Sequence, residues 1–197
     1  MNKPYSQACE NNKDPILHKI KDIFLESTTV WEIGSGTGQH ACYFAQQLSH
    51  LQWQTTDRVE NLSGINSWID ESGLENLPQS LALNVSDEQW PCQKIEALFS
   101  ANTLHIMKWQ EVECFFAGLG RYLTQDAQVC IYGPFNYSGE YTSPSNESFD
   151  QWLKMRDPQS GIRDFEEIEK LAKLVGLIVK DDFAMPANNR LLFLQRS

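Results

Sequence analysis

The sequence predicts an α/β fold in which a mostly parallel sheet carries helices on both faces. Short apolar strands alternate with amphipathic helices along the first two thirds of the chain, a pattern typical of sheets built from β-α-β units. A glycine-rich turn joins the first strand to the helix that follows it. Two strands near the end of the chain lie close together in the sequence, and we expect them to pair antiparallel.

The elements can be placed in order from their apolar spacing and their turn residues. Asp14 and Pro15 predict a helix start, because an acid caps a helix and proline suits its first position. The predicted elements after this helix are a strand over 29–33, a helix over 39–48, a strand over 51–56, a helix around 60–72, strands over 80–84 and 95–99, a helix over 109–123 and a strand over 127–132.

The last third of the chain departs from this alternation. Residues 133–147 are rich in Gly, Pro, Ser, Thr and Asn, and they predict a long loop that is a candidate lid. The predicted elements beyond it are helices near 147–156 and 164–175 and strands over 177–183 and 190–195, joined by a turn through Pro186. No linker interrupts the chain, so residues 1–197 are predicted to form one domain.

The turn after the first strand carries glycines at alternate positions, Gly34, Gly36 and Gly38. Glycine lets the backbone turn sharply and approach a ligand closely, and such turns lie at the carboxyl edge of an α/β sheet, where ligands bind. A dinucleotide fingerprint would place its third glycine at Gln39. The carboxylate of Glu32 would repel a phosphate, which favours a cationic ligand.

A second acid follows the second predicted strand. Asp57 lies 21 residues beyond Gly36, where an acid can accept hydrogen bonds from ribose hydroxyls. The alternative is structural: the glycines would only let the helix pack on the sheet, and Asp57 would be a cap.

Charge and composition narrow the partners. Lys and Arg number 16 against 26 Asp and Glu, which gives a formal net charge of −10. Nucleic acid and anionic lipid both require clustered basic residues, so we expect neither as a partner and favour a small molecule.

The five cysteines form no CxxC pair, so neither a metal site nor a disulfide framework is predicted. The sequence lacks a secretory signal, and we expect a cytoplasmic protein.

The pattern Glu-x-Gly-x-Gly-x-Gly, followed by Asp57, resembles the cofactor site of class I S-adenosylmethionine-dependent methyltransferases. Other phrases resemble an uncharacterised methyltransferase-like family, long filed as a domain of unknown function. These phrases are Lys3 to Lys13, Ser100 to Ile106, Tyr132 to Phe135, Thr142 to Asn146, Gly161 to Asp164 and Met185 to Asn189. The resemblance implies a Rossmann-like fold with a seven-stranded sheet, and S-adenosyl-L-methionine as cofactor, but it brings no substrate.

The resemblance also implies which residues hold the cofactor. They are Glu32, Gly34, Ser35, Gly36, Thr37, Gly38, His40, Asp57, Asn84, Val85, Asn102 and Leu104. Two positions depart from the wider superfamily. Asn84 and Val85 stand where many members carry an acid for the adenine amino group, although an amide oxygen can accept the same bond. Asn102-Thr103-Leu104-His105 lacks the prolines and tyrosine of enzymes that methylate amino groups of DNA and protein, which favours a small-molecule acceptor.

Two residues are candidates for catalysis because they follow strands at the carboxyl edge. His105 could remove a proton from the acceptor, since histidine titrates near neutral pH; alternatively it orders the loop through backbone hydrogen bonds. Tyr132 could line the acceptor pocket, or it is an ordinary strand aromatic.

Candidate substrate residues lie in the segments expected above this edge. They are Tyr5, Asn11, Tyr141, Arg163 and Asn188. The segment 1–27 is predicted to cover the cofactor, as in similar proteins of this superfamily. Some of these segments also have a structural interpretation: Ser145 or Asn146 caps the helix that follows the loop, Asp164 caps the next helix, and Asn188 and Asn189 form a turn before the final strand.

The hypothesis from the sequence is therefore methyl transfer from S-adenosyl-L-methionine to a small molecule. The alternative is a catalytically idle protein that binds the cofactor or serves as a scaffold. A nicotinamide-dependent oxidoreductase is disfavoured by Gln39 and by the C-terminal pair of strands. The sequence predicts no oligomeric state.

Overall fold

The computed structural model describes residues 3–92 and 94–197. The strands are β1 (Thr29–Ile33), β2 (Gln52–Asp57), β3 (Leu81–Ala82), β4 (Ile95–Ala101), β5 (Leu123–Gly133), β6 (Phe135–Asn136), β7 (Arg163–Asp164), β8 (Leu177–Met185) and β9 (Asn189–Arg196). The helices are α1 (Gln7–Ile23), α2 (Gln39–Gln47), α3 (Leu62–Ser72), α4 (Trp109–Tyr122), α5 (Pro144–Arg156) and α6 (Phe165–Leu174), with 3-10 turns at Val59–Asn61 and Pro186–Asn188.

Among the described residues, seven strands form one sheet in the order β3-β2-β1-β4-β5-β9-β8. Strands β1 to β5 run parallel, and β9 pairs antiparallel with both β5 and β8. The predicted mostly parallel sheet with an antiparallel C-terminal hairpin is confirmed. Because the chain order reverses between β1 and β4, the carboxyl ends of these two strands border a crevice of the kind that binds ligands in open α/β sheets.

Helices cover both faces of the sheet, as predicted. On one face, α1, α2 and α3 bury residues that include Ile20, Phe44 and Ile65 against Trp53 and Phe99 of the strands. On the other face, α4 and α6 bury the residues Val112, Phe115, Phe116, Leu119, Ile168 and Ala172. No helix within the described residues has the length and apolar character needed to cross a membrane.

The predicted start of the first helix at Asp14-Pro15 is wrong. Helix α1 begins at Gln7, where the hydroxyl of Ser6 accepts a hydrogen bond from the Cys9 amide at 3.4 Å. Pro15 therefore lies inside the helix and cannot donate a hydrogen bond to the carbonyl four residues earlier. Fully buried Ile16 and Ile20 hold the second half of α1 on the sheet, and this packing outweighs the local signal of the proline.

Two further elements differ from prediction. The strand predicted over 80–84 shrinks to Leu81–Ala82, because Asn84 already begins a turn in which its carbonyl accepts the Asp87 amide at 2.9 Å. The predicted loop 133–147 contains strand β6, which pairs in parallel with β7, and it ends early, since α5 starts at Pro144.

Candidate functional site

The glycine turn between β1 and α2 has a backbone that only glycine adopts readily. Gly34, Gly36 and Gly38 all have positive φ angles, of 78°, 60° and 88°, in the region that side chains disfavour. The amides of Gly34 and Ser35 both donate to the Thr56 carbonyl of β2, at 3.0 and 3.1 Å. The turn is thus fastened to the neighbouring strand at the carboxyl edge of the sheet.

The three glycines differ in the space around them. A Cβ on Gly34 would lie 2.3 Å from Thr103 Cγ2, and one on Gly38 would lie 3.2 Å from the Cα of Ile65. A Cβ on Gly36 would meet nothing within 4 Å. Gly34 and Gly38 therefore serve close packing, whereas Gly36 faces open space that a ligand can use.

Asp57 at the end of β2 reaches this same point. Its Oδ2 accepts a hydrogen bond from the Gly36 amide at 2.7 Å, and its Oδ1 accepts from the Arg58 amide and from Asn61 Nδ2. The side chain is largely buried yet borders the open space above Gly36. Such a carboxylate, held by three donors, is a ready acceptor for further hydroxyl groups.

Glu32 on β1 is a buried acid beneath the turn. Its Oε2 accepts a hydrogen bond from Trp53 Nε1 at 3.0 Å. Burial raises the pKa of Glu32 to about 7, and the nearby charge of Asp57 adds to this effect. A positively charged group beside Glu32 would favour the ionised carboxylate and would be bound by it.

A cleft of about 340 Å³ opens beside Asp57 at the ends of β2 and β3. Its lining residues include Val59, Asn84, Asp87, Arg58 and Glu111. An ion pair of 2.5 Å joins Arg58 to Glu111. Asn84 of the predicted cofactor residues lies in this cleft, and its Oδ1 accepts the Ser86 amide at 3.1 Å.

The other predicted cofactor residues near this cleft, Val85, Leu104 and Asn102, lie in the core or directly after β4. Val85 and Leu104 are buried in the core on the α4 face. Asn102 follows β4 with a positive φ of 57°, and its amide donates to the Tyr132 carbonyl at 2.8 Å.

Helix α1 lies across the glycine turn and the start of α2. The Ser6 amide donates to Gln39 Oε1 at 2.5 Å, and Gln39 Nε2 donates to Glu10 Oε1 at 2.9 Å. Deeper in the contact, Asn12 Oδ1 lies 2.7 Å from Nε2 of His40. Burial lowers the pKa of His40 to about 4, so its ring is neutral at pH 7. Residues 1 and 2 of the predicted covering segment 1–27 lie outside the described residues.

The two candidate catalytic residues lie in different surroundings. His105 is buried against α5, with its ring 5.3 Å from that of Phe149. Burial, with a smaller effect from Arg163, lowers the pKa of His105 to about 4. Tyr132 is buried on the other face of the sheet with the residues packed under α1, and burial raises its pKa.

The candidate substrate residues are not gathered at one point. Tyr141 donates to Oδ2 of Asp150 on α5 at 2.7 Å. Tyr5 is exposed in the segment that precedes α1. Asn11 lies on an exposed position of α1, where its Oδ1 accepts a hydrogen bond from Gln7 Nε2 at 2.9 Å.

Arg163 and Asn188 are engaged within the protein. The guanidinium of Arg163 donates to the carbonyls of Leu104, Met107 and Gln159, so these bonds occupy the group that was predicted to reach a substrate. Asn188 Nδ2 donates to Ser145 Oγ at 3.0 Å.

Two polar residues carry unsatisfied oxygens: Asn136, which was not predicted as a site residue from the sequence, and Asp164, which the sequence suggested as a helix cap. Asn136 Oδ1 on β6 and Asp164 Oδ1 on β7 are buried without a hydrogen-bond partner among the described residues. Asp164 precedes α6 in the capping position, but its side chain makes no capping bond, so the capping alternative for Asp164 is wrong. Asn146 is not the cap of α5 either, since Ser143 fills that role. No sequence signal marks an unsatisfied oxygen, because it depends on burial by distant segments.

Solved structures of methyltransferases are similar to this chain in fold. An O-methyltransferase family protein from Burkholderia thailandensis matches with a TM-score of 0.83 at 15% identity, over 94% of this chain and 56% of that one. The S-adenosylmethionine-dependent methyltransferase SibL, in its apo form, matches with a TM-score of 0.80 at 18% identity, over 95% and 55%. The mitomycin 7-O-methyltransferase MmcR matches with a TM-score of 0.78 at 16% identity, over 88% and 50%.

The chain spans about half the length of the structures that it matches. At these identities the likeness concerns the fold, and it confirms the predicted Rossmann-like class I methyltransferase fold. A family model described as "Protein of unknown function (DUF938)" matches residues 3–196. The chain therefore belongs to this family, which has the fold of class I methyltransferases.

Proposed function

We propose that the protein transfers a methyl group from S-adenosyl-L-methionine to a small-molecule acceptor. The observation that carries the proposal is the contact of Asp57 with the Gly36 amide at 2.7 Å, beside the open space at Gly36. This arrangement combines an acceptor for ribose hydroxyls with a backbone that leaves room for an adenosyl group. It lies at the switch point of a sheet whose relatives by fold include proteins named as methyltransferases.

The residues fit this cofactor in charge as well as in space. Bound S-adenosyl-L-methionine would supply a methyl group activated on a positively charged sulfonium. Asp57 would accept bonds from the ribose hydroxyls, and the Glu32 carboxylate would balance positive charge on the amino acid part. Asn84 would face the base in the neighbouring cleft.

His105 is the residue placed best to act on the acceptor. It follows β4 at the carboxyl edge of the sheet. Burial lowers its pKa to about 4, so its ring is neutral at pH 7 but is a weaker base than a solvent-exposed histidine. A neutral imidazole can take a proton from an acceptor hydroxyl as the hydroxyl oxygen attacks. A small-molecule acceptor is supported by the negative charge of the chain and by the name of one relative in fold, a mitomycin 7-O-methyltransferase.

The proposal is tested by the binding of S-adenosylhomocysteine, the product form of the cofactor. At a hundredfold excess over its dissociation constant, it should stabilise the protein by about 2.7 kcal/mol and raise the melting temperature, whereas NAD should not. Asp57→Asn removes a charge that accepts ribose hydrogen bonds and should weaken binding roughly tenfold or more. Asp70→Asn, an exposed acid on α3, is the matched control and should bind as the wild type does.

Turnover separates the enzyme from its alternative. Labelled methyl groups from S-adenosylmethionine should appear in products when the protein is given a mixed pool of small metabolites. Binding without turnover across such a pool would support the idle cofactor-binding protein instead. If Asp57→Asn leaves the affinity for S-adenosylhomocysteine unchanged, the proposed site is wrong.

A further inference from the structure

The two unsatisfied oxygens, Asn136 Oδ1 and Asp164 Oδ1, lie side by side. Asn136 and Asp164 are register partners in the parallel pair β6–β7, so their side chains point to the same face of that pair. The other face carries Phe135, which is buried in the core against α4 and α6. Asn136 and Asp164 therefore face away from this core.

This face borders the proposed acceptor region. Strand β6 follows Gly133, whose Cβ, if present, would lie 3.6 Å from Nδ1 of His105. The segment that leads into Asp164 is held at both sides, since the Gly161 amide donates to the His105 carbonyl at 2.9 Å and the Ile162 amide donates to Asp150 Oδ1 at 2.7 Å.

Tyr141 reports how near the charge of Asp164 lies. The hydrogen bond to Asp150 is the largest of the effects that raise the pKa of Tyr141 to about 12, and the charge of Asp164 is one of the smaller ones. Tyr141 and the Ile162 amide, two residues before Asp164, both hydrogen-bond to Asp150, so Asp164 lies near Tyr141 and Asp150.

Among the residues that the structure describes, none donates a hydrogen bond to these two oxygens. No lysine or arginine forms an ion pair with Asp164 within residues 3–92 and 94–197, since Lys154 pairs with Asp150 and Arg163 donates to carbonyls. Asn136 is only 9% exposed. A buried acceptor without a donor costs free energy, and in native proteins such a group is met by a water, an ion or a ligand, or has a functional role.

We propose that Asn136 and Asp164 bind a protonated amino group of the methyl acceptor. An amide oxygen beside a carboxylate oxygen offers two acceptors and one negative charge, and an ammonium group supplies donors and the opposite charge. A protonated amine has no lone pair, so it serves here as the group that is recognised, and another atom of the acceptor takes the methyl group. The inference rests on the proposed function and names the substrate class of the same site.

The test compares two probes of the same shape and opposite charge. Phenylethylamine carries an ammonium group at pH 7, and phenylpropanoate carries a carboxylate in the corresponding position. Each is titrated into ¹⁵N-labelled protein with S-adenosylhomocysteine present, and the side-chain amide signals of Asn136 are followed. The amine should shift these signals and bind about tenfold more tightly than the carboxylate, because only the amine can form an ion pair with Asp164.

Two variants and a control test whether Asn136 and Asp164 cause the preference for the amine. Asp164→Asn keeps the shape and should remove the preference for the amine. Glu167→Gln removes one charge from the same first turn of α6, but its side chain is exposed, so it should keep the preference. Asn136→Leu should lower amine affinity about tenfold while the melting temperature stays or rises, because it removes a buried unsatisfied acceptor. A purely structural role for Asn136 predicts a lower melting temperature instead.

Several results would overturn the inference. They are equal binding of the two probes to the wild type, no binding of the amine up to about 20 mM, or a preference that survives Asp164→Asn. Binding of S-adenosylhomocysteine is measured in parallel. If it binds and the amine preference is absent, only the acceptor class is wrong; if it fails to bind, the proposed function itself is wrong.

Discussion

Gly34 and Gly36 of the turn between β1 and α2 should respond differently to the same substitution. In Gly34→Ala the new Cβ would lie 2.3 Å from Thr103 Cγ2. This clash and the positive φ should together lower the unfolding free energy by roughly 2–4 kcal/mol. In Gly36→Ala only the positive φ is unfavourable, and it should lower the unfolding free energy by about 1–2 kcal/mol. However, its methyl group would enter the open space that we assign to the cofactor.

Urea unfolding and titration with S-adenosylhomocysteine separate the two effects. Gly36→Ala should remain folded and bind about tenfold more weakly or worse, whereas Gly34→Ala should lose more stability. Equal stability of the two variants would contradict the packing role of Gly34. Wild-type affinity in Gly36→Ala would show that the cofactor does not lie above this residue.

The two sets of site residues differ in how far the sequence could predict them. Glu32, Gly36 and Asp57 belong to a local motif with fixed spacing, and a strand followed by such a turn brings them together in any open α/β sheet. Asn136 and Asp164 come together only because β6 pairs with β7 across 26 residues of intervening chain. Their buried oxygens depend on segments packed over them, which no local pattern encodes.

Helix α1 has two possible start signals, Ser6 and Asp14-Pro15, and substitutions can distinguish them. Ser6 accepts the Cys9 amide at 3.4 Å, so Ser6→Ala should lower the unfolding free energy by about 1 kcal/mol. Pro15→Ala restores a backbone donor inside the helix and should raise it by about 1–3 kcal/mol. Urea unfolding of both variants checks these signs. A loss of stability in Pro15→Ala would mean that the sheet packing of α1 depends on the proline.

Among the other elements, long helices and strands with regular apolar spacing were easier to predict than strands of two residues. The strands β1, β2, β4 and β5 and the helices α2 and α4 have apolar spacings that persist over several residues, and packing reinforces them. By contrast, β3, β6 and β7 have two residues each, too few for a period of two to be recognised. Asp14-Pro15 carried a true local preference that the packing of Ile16 and Ile20 overrode.

At the scale of the whole molecule, two histidines buried in the flanking layers make stability depend on pH. His40 lies under α1 and His105 lies against α5, and burial lowers the pKa of each from 6.5 to about 4. The unfolded chain therefore binds more protons than the folded one between these pH values, so stability falls as the pH drops from 6.5 to 4. Each histidine accounts for about 3 kcal/mol over that interval.

Glu32 opposes the histidines over part of the same interval. Its pKa is raised from 4.5 to about 7, so the folded chain binds the extra proton and stability falls as the pH rises from 4.5 to 7. Between pH 4.5 and 6.5 the two histidines and Glu32 together leave a net difference of about one proton. The wild type should therefore lose stability on acidification with about half the slope that the histidines alone would produce.

The histidine variants change the sign of this slope. His40→Gln should flatten the dependence of unfolding free energy on pH between 4.5 and 6.5, because one titrating group is removed. His40→Gln combined with His105→Gln should reverse it, since of these three groups only Glu32 then remains. His18→Gln, at an exposed position, is the control and should leave the slope unchanged. Urea midpoints at several pH values give the slopes, and a double variant that still loses stability on acidification would show that other groups govern the acid limit of this fold.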